Sequence, residues 1–148
     1  MKSSRAAHIL LIEDNRMDVE LTLDAFRTRK LENKIHVALG GQEGIDYLFG
    51  RGVYSDREIH PLPDLILLDL KMPVMDGQEV LRQLKGVEIL KRIPVVVLSS
   101  SKEEGDRALS YDNGANSYLV KPISFDGFLD VVQQVDSYWL TLNAPPPL

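Results

Sequence analysis

The sequence predicts an α/β protein with a doubly wound (βα)5 fold, a three-layer sandwich around one parallel sheet. Its short apolar runs mostly lack the alternation of half-exposed strands, as expected of strands buried on both faces. Segments with helix-start and helix-stop signals follow each run, so strand and helix alternate along the chain. We predict right-handed crossovers and the strand order 2-1-3-4-5.

The predicted strands are His8 to Ile12, Ile35 to Ala38, Leu65 to Leu68, Pro94 to Leu98 and Ser117 to Val120. The second contains polar side chains, which are easier to accommodate near a sheet edge. No apolar run approaches the ~20 residues that a membrane-spanning helix needs, and the first run is too short for a signal peptide. These runs are therefore interpreted as buried strands.

Sequence pairs with the spacing of capping boxes mark the starts of three helices. They are Asn15 with Asp18, Asp76 with Glu79, and Ser101 with Glu104. Helix ends are indicated by Gly50 and by Asn113-Gly114, because these residue types accept left-handed backbone. Each predicted strand is thus followed by a predicted helix.

Two segments depart from the simplest version of this fold. Gly50 to Pro63 is longer than the ~2–6 residues of most α/β connections, and we favour a tolerated surface insertion over a recognition loop. Near the C-terminus, apolar residues at helical spacing predict a mostly buried stripe. The stripe is Phe128, Val132, Val135, Trp139 and Leu142, with Tyr138 and Leu140 on other faces.

The length and composition of the chain exclude several classes of function. With 148 residues and a net charge of −5, one domain is expected over residues 1–148, with a core from about 8 to 142 and a proline-rich tail at 143–148. A fused effector is not expected. The acidic balance argues against nucleic-acid binding, and without cysteine there is no thiol chemistry. The three histidines show no ligand spacing and are interpreted as structural.

Polar side chains collect where the predicted strands end. Glu13 and Asp14 follow the first strand, Asp69 the third, and Lys121 the fifth, while Ser99 ends the fourth. Carboxyl ends of parallel strands share one edge, where ligands of such folds bind. Three crowded carboxylates favour a divalent cation, and an all-oxygen set suits Mg²⁺. Ser99 and Lys121 add a hydrogen bond and a positive charge for an anion.

This set predicts a phosphoryl site with Asp69 as the nucleophile. A carboxylate attacks phosphorus when metal and lysine neutralise the charge. Asp69 ends the central strand, whereas the adjacent Glu13 and Asp14 are better placed to hold the ion from one side. Taken singly, each residue has a structural explanation, such as a helix cap or a solvated charge. Their joint occurrence at four strand ends favours the functional interpretation.

The sequence resembles the CheY-like receiver domain of two-component response regulators, which has a flavodoxin-like fold; receivers are themselves a standard example of this strand order. The resemblance spans about His8 to Leu142. The matching motifs are Leu11-Ile12-Glu13-Asp14-Asn15, Leu67-Leu68-Asp69-Leu70-Lys71-Met72-Pro73 with Asp76-Gly77, Val97-Leu98-Ser99-Ser100, and Tyr118-Leu119-Val120-Lys121-Pro122.

The resemblance implies that Asp69 accepts a phosphoryl group from a sensor histidine kinase. Glu13, Asp14, Asp69 and the backbone carbonyl of Lys71 would hold Mg²⁺, with Mn²⁺ as a substitute. Ser99 and Lys121 would bind phosphoryl oxygens. Ser99 and Tyr118 would switch the surface of the fourth helix, fifth strand and fifth helix, and a cis peptide would join Lys121 to Pro122.

The long loop and the C-terminal segment are similar to stand-alone receivers that partner bacterial phytochromes. This implies a bacteriophytochrome kinase, a cytoplasmic bacterial protein, and output through an unidentified downstream protein, with no membrane or nucleic-acid partner. We also hypothesise a homodimer formed by the fifth helix or by Trp139 to Leu148. By this resemblance the chain is a phosphoacceptor that assists its own phosphorylation and dephosphorylation, not an enzyme.

Three alternatives stay open at this point. A Mg²⁺-dependent aspartyl-phosphate phosphatase resembles a pattern with a second aspartate two positions after the nucleophile, where this chain has Lys71. A nucleotide or flavin module would need a phosphate-binding loop after the first strand, and Glu13 and Asp14 would repel that phosphate. A phosphorylation-independent adaptor requires that the acidic site be inert.

Overall fold

The computed structural model describes residues 7–144 and shows five parallel strands in the order β2-β1-β3-β4-β5. The strands are β1 His8–Ile12, β2 Lys34–Ala38, β3 Leu65–Leu68, β4 Val95–Ser99 and β5 Ser117–Val120. The α-helices are α1 Arg16–Thr28, α2 Gly41–Phe49, α3 Gly77–Lys85, α4 Glu104–Asp112 and α5 Phe125–Gln134. The predicted fold class and strand order are confirmed.

Both faces of the sheet are buried, which explains why the strand sequences do not alternate. Leu10 and Ile12 belong to the core cluster that contains buried residues of α2 and α3, whereas Ile9 and Leu11 belong to the cluster of α1 and α5. All four residues of β3 are buried at its central position. Two apolar cores thus fix the sheet between its helical layers.

Two of the three predicted N-caps are present, without the reciprocal bond of a full capping box: the Asn15 N–H bonds Glu13, and the Glu79 carboxylate bonds Arg82 and Gln83. The side chains of Asn15 and Asp76 accept hydrogen bonds from backbone N–H groups of α1 and α3. The expected cap at Ser101 was wrong, because α4 begins at Glu104 after Glu103 and has no side-chain cap. Ser101 lies too early to cap, and its hydroxyl donates instead to the Asp106 carboxylate at 2.5 Å.

The long connection between α2 and β3 is packed against the domain by Arg57. Its guanidinium donates to the carbonyl oxygens of Tyr47 at 2.8 Å and Leu48 at 2.7 Å, near the C-terminal end of α2. A cation there satisfies carbonyls that lack helical partners. Tyr54 and His60 from the same connection contact the buried Tyr47 ring. The insertion is therefore an ordered part of the surface.

The C-terminal segment departs from the predicted helical stripe. Residues Val135–Leu142 form a π-helix, in which hydrogen bonds span five residues. Leu140 is 5% exposed, so its placement on an outer face was wrong. Leu140 and Val135, five positions earlier, belong to the same buried core cluster. Trp139 is partly buried as expected, and Tyr138 is 49% exposed. The predictions for the Leu142 side chain and for residues 145–148 concern parts of the chain outside those that the structure describes.

Two helical glycines differ in the space around them, and this generates a stability prediction. A Cβ atom at Gly41 would lie 2.3 Å from the backbone oxygen of Met75, whereas one at Gly105 would meet nothing within 4 Å. We expect Gly41→Ala to lower the free energy of unfolding by about 1–3 kcal/mol. Gly105→Ala should raise it by about 0.5–1 kcal/mol. Urea denaturation measures both, and equal effects would contradict the prediction.

Candidate functional site

The candidate site lies at the carboxyl edge of the sheet, as the strand-end residues predicted. Strand-like hydrogen bonds continue one residue past three strands. The N–H of Glu13 donates to Ala38, that of Asp69 to Ile12, and that of Lys121 to Ser99, at 2.7 to 3.0 Å. The functional side chains are therefore held by the rigid backbone of the sheet.

The structure brings the three predicted carboxylates together. Ligand oxygens of Glu13, Asp14 and Asp69 lie within 4.8 Å of one another. Glu13 and Asp69 are only 3% and 5% exposed, whereas Asp14 is half-buried. A partly open set of oxygen donors fits a hard divalent cation that keeps several water ligands, as Mg²⁺ does.

Lys121 brings a cation into this cluster from β5. Its Nζ lies 2.5 Å from Glu13 Oε1 and 3.4 Å from Asp69 Oδ1. A further contact, 2.7 Å to Asp18 Oδ2, was missed by the sequence analysis, which treated Asp18 only as part of a helix cap. Its place in the first turn after β1, at the same sheet edge, was the available signal. Lys121 thus neutralises carboxylates from three elements.

Burial governs the protonation of this cluster. Desolvation raises the pKa of Glu13 to about 7, against the favourable contact with Lys121 and assisted by the neighbouring Asp69. Desolvation also raises the pKa of Asp69. Burial alone disfavours the ammonium of Lys121, but hydrogen bonds to Asp18 and Glu13 outweigh it and raise its pKa. The metal-free site therefore holds excess negative charge that favours proton or cation binding.

The predicted switch residues lie beside the acidic cluster and share one partner. The Ser99 side chain is fully buried at the end of β4, and its Oγ accepts a hydrogen bond from the Ser101 N–H at 3.2 Å. The hydroxyl of Tyr118 donates to the Ser101 carbonyl at 2.9 Å. Ser99 and Tyr118 are thus linked through the backbone of the β4–α4 loop.

The loop after Asp69 is tightly constrained. A Cβ atom at Gly77 would lie 2.4 Å from the Asp69 carbonyl oxygen, so only glycine fits this approach. Val74 adopts a left-handed φ of 67°, which costs a β-branched residue on the order of 1–3 kcal/mol. Lys71 lies in this loop, and its ammonium pairs with Asp106 of α4 at 3.2 Å.

The predicted cis peptide before Pro122 was wrong, since no peptide bond within residues 7–144 is cis. The trans form is the more stable isomer even before proline, by about 0.5–1 kcal/mol. The prediction came from the family resemblance and not from the local residues.

The fold and the acidic site define a receiver of the response regulator class, and the sequence agrees. Residues 9–133 match the family described as the response regulator receiver domain. The chain therefore belongs to the receiver domain family. Across residues 7–144, no helix is both long enough and apolar enough to cross a membrane.

Two named relatives are similar over nearly the whole chain. The chain is 39% identical over 138 residues to response regulator Rcp1 of Synechocystis, across 93% of this chain and 92% of that protein. It is 40% identical over 138 residues to the probable methanogenesis regulatory protein FilR2 of Methanothrix harundinacea, across 93% of this chain and 86% of that protein.

Solved structures give the same family. The phosphorylated cyanobacterial phytochrome response regulator RcpA has a TM-score of 0.89 at 36% identity, over 97% of this chain and 100% of that chain. The Mn²⁺-bound form of Rcp1 has a TM-score of 0.83 at 37% identity, over 95% and 99% of the two chains. A related receiver thus carries a divalent metal.

The raised pKa of Glu13 generates a prediction for the metal-free protein. Folded Glu13 holds its proton up to about pH 7, against 4.5 for an ordinary glutamate, so the native state binds more protons between these values. The free energy of unfolding should therefore fall as pH rises through this window, by up to about 1.4 kcal/mol per pH unit. The raised pKa of Asp69 also makes the free energy of unfolding fall as pH rises.

Urea denaturation in a chelating buffer across this pH range measures the slope. Glu13→Gln should flatten it, and Glu20→Gln, at an exposed position of α1, is the control for loss of one carboxylate. A Glu13→Gln protein with the wild-type slope would contradict the assignment.

Proposed function

We propose that this receiver accepts a phosphoryl group on Asp69 from a phosphohistidine of a sensor histidine kinase. The observation that carries the proposal is the position of the Asp69 carboxylate, 3.4 Å from the Lys121 ammonium and clustered with the oxygens of Glu13 and Asp14. This arrangement supplies a nucleophile together with the charges that phosphoryl transfer needs.

In the transfer, an Asp69 oxygen attacks phosphorus and the P–N bond to the kinase imidazole breaks. The electron pair stays on the imidazole nitrogen, which takes a proton from solvent, and an acyl phosphate forms on Asp69. Lys121 compensates charge on the phosphoryl oxygens. Mg²⁺, or Mn²⁺ in its place, held by Glu13, Asp14, Asp69 and the Lys71 carbonyl, would supply further charge neutralisation.

Ser99 and Tyr118 support a switch that follows phosphorylation. A rotation of the Ser99 side chain that carries its hydroxyl to a phosphoryl oxygen would also move Oγ away from the Ser101 N–H, from which it accepts at 3.2 Å. The Ser101 backbone is then free to shift, and with it the carbonyl that binds the Tyr118 hydroxyl. Because Tyr118 lies in β5, beside α4 and α5, the change reaches the α4-β5-α5 surface, through which the signal passes to another protein.

We further propose a bacteriophytochrome-type kinase as the phosphoryl donor in the bacterial cytoplasm. The support is the identity of 36% to 39% with RcpA and Rcp1 over nearly the whole chain. The likeness to RcpA covers 97% of this chain and therefore extends over most of the long α2–β3 connection and of the C-terminal π-helix.

The first experiment is intact mass spectrometry after incubation with acetyl phosphate and Mg²⁺. We expect one phosphoryl adduct, which should be lost in Asp69→Asn and in a chelating buffer. Asp130→Asn, on the exposed surface of α5, is the control and should be labelled like the wild type. A known receiver is labelled in parallel. No adduct with acetyl phosphate or with purified sensor kinases would overturn the proposal in favour of a phosphorylation-independent adaptor.

A second prediction concerns assembly. We propose a homodimer formed by the C-terminal region, where Tyr138 stays 49% exposed. Light scattering should give a dimer mass that falls toward the monomer in Tyr138→Lys. Tyr111→Lys, at a tyrosine of α4 that is 48% exposed, is the matched control and should leave the dimer intact. A monomer mass at every concentration of wild-type protein would exclude this assembly.

A further inference from the structure

α4 is attached to the domain differently from the other helices. Ser110 is its one buried residue and Asp106 its one half-buried residue, while the remaining residues from Glu104 to Asp112 are exposed. The other four α-helices each bury apolar side chains. Since α4 buries little apolar surface, its position depends on polar contacts, which are weaker and easier to rearrange.

Those polar contacts form two groups. The first joins α4 to α3: the Gln78 amide donates to Ser110 Oγ at 2.9 Å and to the Asp106 carbonyl at 3.3 Å, and Asn113 donates to Gln78 at 2.8 Å. None of these atoms lies in a loop of the phosphoryl site. This group holds α4 against α3 without any contact to the loops of the phosphoryl site.

The second group is centred on the Asp106 carboxylate. Its Oδ2 accepts from the Ser101 hydroxyl at 2.5 Å and lies 3.2 Å from the Lys71 ammonium. Hydrogen bonds from Ser101 and Lys71 lower the pKa of Asp106, which keeps it ionised near neutral pH. One carboxylate thus ties the start of α4 to the loop after Asp69 and to the β4–α4 loop.

Lys71 pairs with Asp106 from the loop that directly follows Asp69. It lies two residues after Asp69 in the chain, on a flexible four-carbon stem, and its side chain is 63% exposed. A phosphoryl group on Asp69 carries a charge of about −1.5 to −2 in place of the single charge of the free carboxylate, and this exceeds the single charge of Asp106. The pair is partly exposed, with Asp106 the more buried partner, and such surface pairs are weak enough to exchange a partner for a stronger one.

We propose that a phosphoryl group on Asp69 competes with Asp106 for the Lys71 ammonium, so that phosphorylation releases the start of α4. The inference rests on the proposed function of Asp69. It makes Asp106 a positioning residue that acts through Lys71, in addition to the route through Ser99 and Tyr118. Removal of Asp106 should free Lys71 for the phosphoryl group and loosen α4 without phosphorylation.

The test uses beryllofluoride with Mg²⁺, a complex that binds carboxylates in place of a phosphoryl group, and measures its affinity by calorimetry. Asp106→Asn should bind about twofold to fivefold more tightly than the wild type, the range of one exposed ion pair. Lys71→Met should bind more weakly by a similar factor. In the double variant the Asp106 change should have no further effect, because its partner is gone.

Amide hydrogen exchange over residues 104–112 provides a second readout. Exchange in the wild type should accelerate when beryllofluoride binds, and Asp106→Asn should reach the faster rate without it. Glu88→Gln removes a carboxylate from another surface pair, 2.9 Å from Lys91, and should change neither readout.

The outcomes separate the two proposals. Wild-type protein that fails to bind beryllofluoride overturns the proposed function, and the inference falls with it. If the wild type binds beryllofluoride, either of two results overturns the inference alone. One is that Asp106→Asn fails to tighten binding, and the other is that it tightens binding by the same factor in Lys71→Met as in the wild type. Lys71→Met changes an exposed side chain, so it tests the pair even if Asp106→Asn does not fold.

Discussion

The carboxyl edge of the sheet depends on the charge of a single side chain, Lys121. Its ammonium contacts Glu13, Asp18 and Asp69 within 3.4 Å. Buried carboxylates at such separations repel and take up protons unless a cation lies among them. Lys121 follows β5, whereas Glu13 follows β1, Asp18 lies in α1 and Asp69 follows β3, so one charge links four segments that are distant in the sequence.

The domain combines a rigid frame with one loosely attached helix. Two apolar cores hold the sheet and four helices, and the sheet backbone fixes Glu13, Asp69 and Lys121. By contrast, α4 is held by hydrogen bonds and one exposed ion pair. The site residues, whose geometry has to stay fixed, therefore lie on the part of the domain that the two cores hold. A conformational response has α4, an element of low local stability, beside that site.

The sequence predicted what depends on local pattern. Unbroken apolar runs identified strands buried on both faces, and strand-end positions identified the carboxylate cluster. The features that were not predicted depend on tertiary placement. Asp18 contacts Lys121 only because the fold brings the start of α1 to the end of β5. Ser101 is not the cap because α4 begins at Glu104, with Glu103 at the N-cap position. Leu140 is buried because the backbone leaves the 3.6-residue period on which the prediction relied.

The π-helical turn also has a consequence for protein engineering. Because its hydrogen bonds span five residues instead of four, a π-helix turns by a smaller angle per residue than an α-helix, so the side chains after Gln134 leave the phase of α5. An effector or reporter joined to Leu142 by a continuous helix in place of residues 143–148 would therefore face a different direction from the one that the spacing of α5 predicts. The phase of such a linker has to be counted from Leu140, which is buried in the same core as Val135, and not from the stripe of α5.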